Sequence, residues 1–131
     1  MKFFLSARYG RRLEMLNYTN VLKEYGHENT SRWIYGDNET VDENPSVYSQ
    51  FIRQYAVDDI EDVLAADAII CFTELLNVPG RSRGGRHVEL GIALSNNKQI
   101  YVVGPRENVF HYLPQVKVFN NFYDIVAPVH A

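Results

Sequence analysis

The sequence has only one cysteine, Cys71, among its 131 residues. A single cysteine excludes an intrachain disulfide framework and a thiolate metal cluster, and it fits a reducing compartment. The four histidines do not have the spacing of metal ligands, so we expect neither a metal ion nor a cofactor. The segment GRSRGGR at 80–86 is not a Walker loop, because no Gly-Lys-Ser/Thr follows it.

Long apolar runs and an excess of positive charge are also lacking. No apolar run reaches the length of about 18 residues that a membrane-spanning helix needs. Arg8, Arg11 and Arg12 interrupt the first apolar segment, which therefore does not resemble a signal peptide. The net charge of -3 argues against nucleic-acid polymers as partners, because their binding requires a basic face. We therefore expect a cytoplasmic protein that binds neither membranes nor nucleic acid.

Short apolar runs alternate with segments of helical periodicity, which predicts one α/β domain over 1–131. Apolar runs predict strands at 2–6, 27–34, 68–72, 100–103 and 116–119. Helical spacing predicts helices at 11–25, 46–66, 86–97, 108–113 and 121–126. Strands that alternate with helices form parallel sheets with right-handed crossovers. Five strands fit a doubly wound, flavodoxin-like sheet with the order 2-1-3-4-5.

In such a sheet, ligands bind beyond the carboxyl ends of the strands, at the point where the strand order reverses. Three loops meet there, at 6–12, 73–85 and 104–108. Six of the thirteen basic residues lie in or beside two of these loops, and they are Arg8, Arg11, Arg12, Arg81, Arg83 and Arg86. These arginines either hold a phosphate or a nucleotide, or they are solvated loop charges.

Glu89 lies near the start of an apolar helix that follows Gly84 and Gly85. The two glycines leave no side chain in the way of a ligand. The helix is too apolar for a solvated one, so we expect it to be largely buried, with Glu89 near the mouth of a groove. A carboxylate at this position either takes part in chemistry or complements the helix dipole from the first turn.

A second acid, Asp59, belongs to an apolar stripe at helical spacing. The stripe consists of Tyr48, Ile52, Tyr55, Asp59 and Val63, and it follows an acidic, turn-rich loop at 36–45. If 46–66 is one continuous helix, Asp59 points inward and burial raises its pKa. Alternatively, Asp58 or Asp59 caps a new helix, with Glu61 or Asp62 completing a capping box.

Four segments resemble the nucleoside 2-deoxyribosyltransferase family and the closely related 2′-deoxynucleoside 5′-phosphate N-hydrolases. They are FLSARYGRR at 4–12, DDIEDVLAAD at 58–67, GGRHVELGIAL at 84–94 and GPRENVF at 104–110. The resemblance covers nearly the whole chain in the same order and spacing. It implies that Glu89 is the nucleophile and that Asp59 is the acid–base group, while Asp67 has a structural role.

The resemblance also implies a set of substrate-binding residues, which are Ser6, Arg8, Tyr9, Arg11, Gly84, Gly85 and Asn108. Those of the first loop contact the 5′ end of the sugar, and the two glycines make room for the sugar. Asn108 reaches the sugar bound by a neighbouring subunit, so we expect a homo-oligomer. The implied partners are 2′-deoxynucleosides and free purine or pyrimidine bases.

The implied reaction is base exchange with retention of configuration. Glu89 attacks the anomeric carbon, the base departs with a proton from Asp59, and a second base attacks the covalent deoxyribosyl ester. The chain departs from classical transferases at Arg83, where they carry an acidic residue, and in its 129–131 tail. These departures leave open the acceptor, so the alternative is an N-glycosidase (hydrolase) of 2′-deoxynucleoside 5′-monophosphates. A non-enzymatic nucleotide-binding sensor on the same fold is a further alternative.

Overall fold

Five short strands form one parallel sheet in the computed structural model, which describes residues 1–36, 49–75 and 84–127. The strands are β1 (Lys2–Ser6), β2 (Glu28–Asn29), β3 (Ala68–Phe72), β4 (Gln99–Val103) and β5 (Val116–Phe119). Their order is β2-β1-β3-β4-β5, and every neighbouring pair is parallel. This order confirms the flavodoxin-like sheet predicted from the sequence.

The helices connect the strands. They are α1 (Arg12–Glu24), α2 (Ser49–Ala65), α3 (Gly85–Ser95) and α4 (Tyr123–Val126), with single turns of 3-10 helix at Tyr9–Arg11, Arg32–Tyr35 and Val109–Tyr112. Gly26 follows α1 with a φ of 79°, the left-handed conformation expected of a residue that ends a helix. No helix within the described ranges is both long enough and apolar enough to cross a bilayer.

The central strand β3 is buried along its whole length. Continuous burial of this kind is typical of a parallel strand that is covered on both faces. Phe4 and Leu5 of β1 and Ile100 of β4 continue the core on either side of it. Cys71 also belongs to this core, and burial raises the pKa of its thiol.

The predicted strand at 27–34 is wrong in its extent, because β2 contains only two residues. Trp33 and Ile34 lie in a 3-10 helix instead. Side chains replace the missing backbone ladder: the Leu5 N–H donates to Ser31 Oγ at 3.2 Å, and Trp33 Nε1 donates to the Leu5 carbonyl at 2.8 Å. With both polar groups of Leu5 satisfied, a longer β2 is not needed.

The expectation that α3 is largely buried is also wrong. Only Leu90 and Ala93 of this helix are buried, whereas Val88 is 63% exposed. The helix packs one face on the sheet and on α2. Its other face borders an open apolar groove of about 630 Å³. The residues that line this groove are His87, Leu90, Gly91, Leu94, Ser95, Asn108 and Phe110.

The two interpretations of the acidic segment at 58–62 are now resolved. Helix α2 runs without a break through this segment, so the alternative of a new helix with a capping box is wrong. The loop predicted at 36–45 lies outside the described residues beyond Gly36, and so does Tyr48 of the predicted stripe.

The buried central strand generates a prediction about stability. Ile69 of β3 is fully buried, so Ile69→Ala leaves a cavity and should lower the free energy of unfolding by about 2–5 kcal/mol. Leu13→Ala, at a position on α1 that is 70% exposed, is the control and should change it by less than about 0.5 kcal/mol. Urea unfolding followed by circular dichroism measures both. Equal losses in the two variants would contradict the assigned core.

Candidate active site

A cluster of three polar side chains lies at the carboxyl end of β1. Ser6 is the last residue of β1, is fully buried and pairs in register with Cys71 of β3. Asp59 comes from α2, and Glu89 is the fifth residue of α3. The strand order reverses between β1 and β3, so the cluster lies where ligands bind in sheets of this kind.

Glu89 is the centre of this cluster. The Ser6 hydroxyl donates a hydrogen bond to Glu89 Oε1 at 2.7 Å. The carboxyl groups of Asp59 and Glu89 lie within hydrogen-bonding reach of each other. Glu89 is not in the first turn of α3, to which the effect of the helix dipole is confined. The dipole therefore does not explain an acid at this position.

The close approach of the two carboxyl groups changes their protonation. Burial raises the pKa of Glu89 well above its ordinary value of 4.5, and the neighbouring Asp59 raises it further. The Ser6 hydroxyl and the positive charge of Arg86 act in the opposite direction. Burial raises the pKa of Asp59 as well, whereas the hydrogen bond with Glu89 lowers it. Loss of the last proton from the pair is therefore disfavoured, and the larger rise in pKa is at Glu89.

Arg86 lies one helical turn before Glu89 and is held by Glu107. Its two terminal nitrogens bond both carboxylate oxygens of Glu107, one of them, Nη2 to Oε2, at 2.8 Å, and the Arg86 side chain is only 8% exposed. The backbone N–H of Glu74 also donates to the Glu107 carboxylate. The backbone N–H of Glu107 in turn donates to Nδ1 of the buried His111 at 2.9 Å. These bonds fix a positive charge close to the Asp59–Glu89 pair.

The arginines of the first loop are also engaged by acids. Arg8 Nε donates to Glu74 Oε1 at 2.7 Å, which joins the loops after β1 and β3. Arg11 binds both oxygens of Glu14, at 2.8 and 2.7 Å, and its Nη1 donates to the Thr73 carbonyl at 3.3 Å. The crevice therefore contains positive groups whose charge is already balanced by neighbouring carboxylates.

The other predicted binding residues of the first loop and of α3 surround this cluster. The Tyr9 ring is tilted against Trp33, with 6.4 Å between the ring centroids, and its hydroxyl is 3.5 Å from the Gly36 carbonyl. Gly84 precedes α3 with a φ of 89°, a conformation that favours glycine. Among the residues that the structure describes, none would lie within 4 Å of a Cβ added at Gly85.

Asn108 lies on the apolar groove along α3. Its Oδ1 accepts the Phe110 N–H at 3.0 Å, and its Nδ2 is 3.4 Å from His87 Nδ1. These contacts attach Asn108 to the groove and not to the Ser6–Asp59–Glu89 cluster. A role in a neighbouring subunit's site remains a prediction.

Sequence reasoning missed Glu74 and Glu107, the carboxylates that hold the arginines. Glu74 is the only acid in the 73–85 loop, and this isolation among arginines was the one signal that could have identified it. Asp67, expected to be structural, accepts the Lys2 N–H at 2.8 Å. Arg81 and Arg83 lie outside the described residues. Within 1–36, 49–75 and 84–127, no three His, Cys, Asp or Glu side chains are grouped so that they could hold a metal ion.

Comparisons with known proteins were made by sequence and by structure. No protein-family model and no curated protein matches the sequence. Among solved structures, the chain is similar to the CMP N-glycosidase BcmB of Clostridium botulinum, with a TM-score of 0.51 and 17% identity. The similarity covers 92% of this chain and 91% of that one. At this identity, the similarity establishes the flavodoxin-like fold.

The carboxyl pair predicts a pH-dependent stability difference. The pKa of Glu89 is higher in the folded protein than in the unfolded chain. As the pH rises above 4.5, the unfolded chain therefore loses its proton first, and the free energy of unfolding of the native protein falls. Glu89→Gln removes this effect and keeps an oxygen that can accept from Ser6. Its free energy of unfolding should therefore rise relative to that of the native protein between pH 4.5 and pH 7.5. Urea unfolding at the two pH values measures this difference, and a constant or falling difference would contradict the assignment.

Proposed function

We propose that this protein is an enzyme that cleaves the N-glycosidic bond of 2′-deoxynucleosides and transfers the deoxyribosyl group to a second base. The observation that carries the proposal is the hydrogen-bonded Ser6–Glu89–Asp59 cluster at the point where the strand order reverses. Most glycosidases use a pair of carboxyl groups for substitution at an anomeric carbon. The similarity to a CMP N-glycosidase supports the same general chemistry.

The first step starts from the pair with one proton. When the proton moves to Asp59, Glu89 becomes an ionised nucleophile and Asp59 becomes an acid. The Glu89 carboxylate then forms a bond to C1′, while the bond from C1′ to the base nitrogen breaks and its electron pair leaves with the base. Asp59 donates the proton to the departing base. The Ser6 hydroxyl orients one oxygen of Glu89 during this attack.

The second step reverses the first with another base. A nitrogen of the incoming base attacks C1′ of the deoxyribosyl ester, the ester C–O bond breaks, and Glu89 is released as a carboxylate. Asp59 takes the proton from the incoming base, so the enzyme returns to its starting state. Two inversions at C1′ give overall retention. Because 2′-deoxyribose has no electron-withdrawing 2′-hydroxyl, its cationic transition state forms more easily, which favours deoxynucleosides.

A second candidate function is hydrolysis of a 2′-deoxynucleoside 5′-monophosphate, with water as the acceptor in the second step. The similarity to a CMP N-glycosidase favours a nucleotide substrate. Arg8 and Arg11 follow β1 at the crevice, where they could face a 5′-phosphate. Both candidates use Glu89 as the nucleophile and differ in the substrate's 5′ group and in the acceptor.

We also propose that two or more copies assemble, with Asn108 of one copy acting at the site of another. The apolar groove along α3 supports an interface of this kind, because exposed apolar surface is a feature of protein–protein contacts. Asn108 lies in the groove and would be carried with it into the interface.

The reaction is tested by incubating the protein with deoxyinosine and adenine, and separately with dCMP, and by following the products chromatographically. Formation of deoxyadenosine is the expected result. Glu89→Ala should lower turnover by roughly three orders of magnitude or more, since the nucleophile is removed. Glu24→Ala, at an exposed position at the end of α1, is the control and should retain turnover. Cytosine released from dCMP without exchange would favour the hydrolase, and no turnover of either substrate would favour the sensor.

The role of Asn108 is tested by mixing two impaired variants. Asn108→Asp removes the amide donor but keeps the Oδ1 acceptor that bonds the Phe110 N–H. If Asn108 acts across a dimer interface, hybrids of Asn108→Asp with Glu89→Ala contain one intact site. After subunit exchange, an equal mixture should regain about a quarter of the native rate. A mixture no more active than the sum of its components would show that Asn108 does not act in trans.

A further inference from the structure

An ion pair bridges the two loops at which the strand order reverses. Arg8 lies two residues beyond β1, and Glu74 lies two residues beyond β3, the strand paired with β1. Arg8 Nε and Glu74 Oε1 are 2.7 Å apart, and the two side chains are only 27% and 20% exposed. The pair therefore crosses the crevice itself and is partly shielded from water.

Arg11 extends this pair into a cluster in which charges cancel. Its Nη1 is 3.7 Å from the same Glu74 oxygen that Arg8 binds. Its Nε and Nη2 bind the Glu14 carboxylate. The cluster thus contains two guanidinium groups and two carboxylates. A phosphate is bound strongly where positive charge or backbone N–H groups are left over for it, and here the charge of Arg8 is already paired with Glu74 through its Nε.

The position of this cluster relative to Glu89 is fixed from both sides. Ser6, two residues before Arg8, donates to Glu89 Oε1. The backbone N–H of Glu74 donates to Glu107, which holds Arg86 one turn before Glu89. In a furanose, the carbon that carries the 5′ group adjoins the ring oxygen, as does the anomeric carbon that Glu89 would attack. The 5′ group therefore extends only a few bonds from the nucleophile, within the reach of the first loop.

We propose that Glu74 determines the specificity of the site, selecting the 5′-hydroxyl of a nucleoside and excluding the 5′-phosphate of a nucleotide. A hydroxyl can donate a hydrogen bond to the Glu74 carboxylate, so the nucleoside is recognised without breaking the pair with Arg8. A phosphate carries a charge of about -1.5 to -2 at pH 7, and it would approach the carboxylate with like charge while competing for Arg8. This inference rests on the proposed function in that the sugar is taken to bind at Glu89.

The test compares Glu74→Gln with the native protein, using 2′-deoxycytidine and dCMP as substrates, each with adenine present as the acceptor base. Gln keeps the length of the side chain and an oxygen for Arg8, but it removes the negative charge. The native protein should prefer the nucleoside. In the variant, kcat/KM for dCMP should rise by about tenfold or more relative to kcat/KM for 2′-deoxycytidine, because one like charge is gone and the remaining bond from Arg8 to a neutral amide is weaker than its ion pair.

Glu14→Gln is the matched control, because it removes the same charge from the side of Arg11 that faces away from Glu74. It should change the ratio of the two kcat/KM values by less than about threefold, since the pair of Arg8 with Glu74 stays intact. An equal rise in both variants would overturn the assignment, because net charge alone would then explain it. A native preference for dCMP that Glu74→Gln weakens would overturn it too.

Calorimetric binding of the same two compounds separates this inference from the proposed reaction. If the native protein turns over neither compound, the proposed function fails. The specificity of the site is then judged by binding alone, where dCMP should bind Glu74→Gln about tenfold or more tightly than it binds the native protein. Unchanged, weaker or undetectable binding of dCMP to the variant would overturn the role of Glu74.

Discussion

The contact between the Asp59 and Glu89 carboxyl groups is the constraint on which the candidate site depends. Burial and like charge oppose the ionisation of both groups, so the pKa of each is raised. The surrounding residues moderate this cost: Ser6 donates to Glu89, and Glu107 holds Arg86 one turn away. In the proposed reaction, this carboxyl pair would provide a nucleophile and an acid from the same two side chains.

The parallel sheet explains why these residues meet. Ser6 ends β1, Glu74 follows β3, and Glu107 follows β4. The three strands are neighbours and parallel, so these residues lie at the same edge of the sheet. The helices supply the acids: α2 contributes Asp59 and α3 contributes Glu89. Because β1 and β3 are fixed in register, side chains can join the loops that follow them, as Arg8 does with Glu74 and Arg11 does with the Thr73 carbonyl.

The sheet order and the inward acid of α2 could be predicted from the sequence because they depend on patterns of apolar residues. Strand β3 is a continuous apolar run, and Asp59 interrupts a helical stripe. The extent of β2 could not be predicted, because it depends on Ser31 and Trp33 bonding the backbone of Leu5, a contact about 26 residues away in sequence. The exposed face of α3 was missed since its apolar composition resembles that of a buried helix. The acids paired with Arg8 and Arg86 were missed because ion pairs between loops leave no periodic signal.

The replacement of a longer β2 by side chains also affects how copies of this protein can meet. A strand edge with free N–H and C=O groups invites another chain to add a strand, which is a route to aggregation. At Leu5 this edge is closed, because the hydroxyl of Ser31 and the indole of Trp33 occupy both backbone groups. Strand addition is blocked there, whereas the helical surface of α3 remains available. Sheet edges can thus be protected by the local chemistry of one turn, with no extra strand.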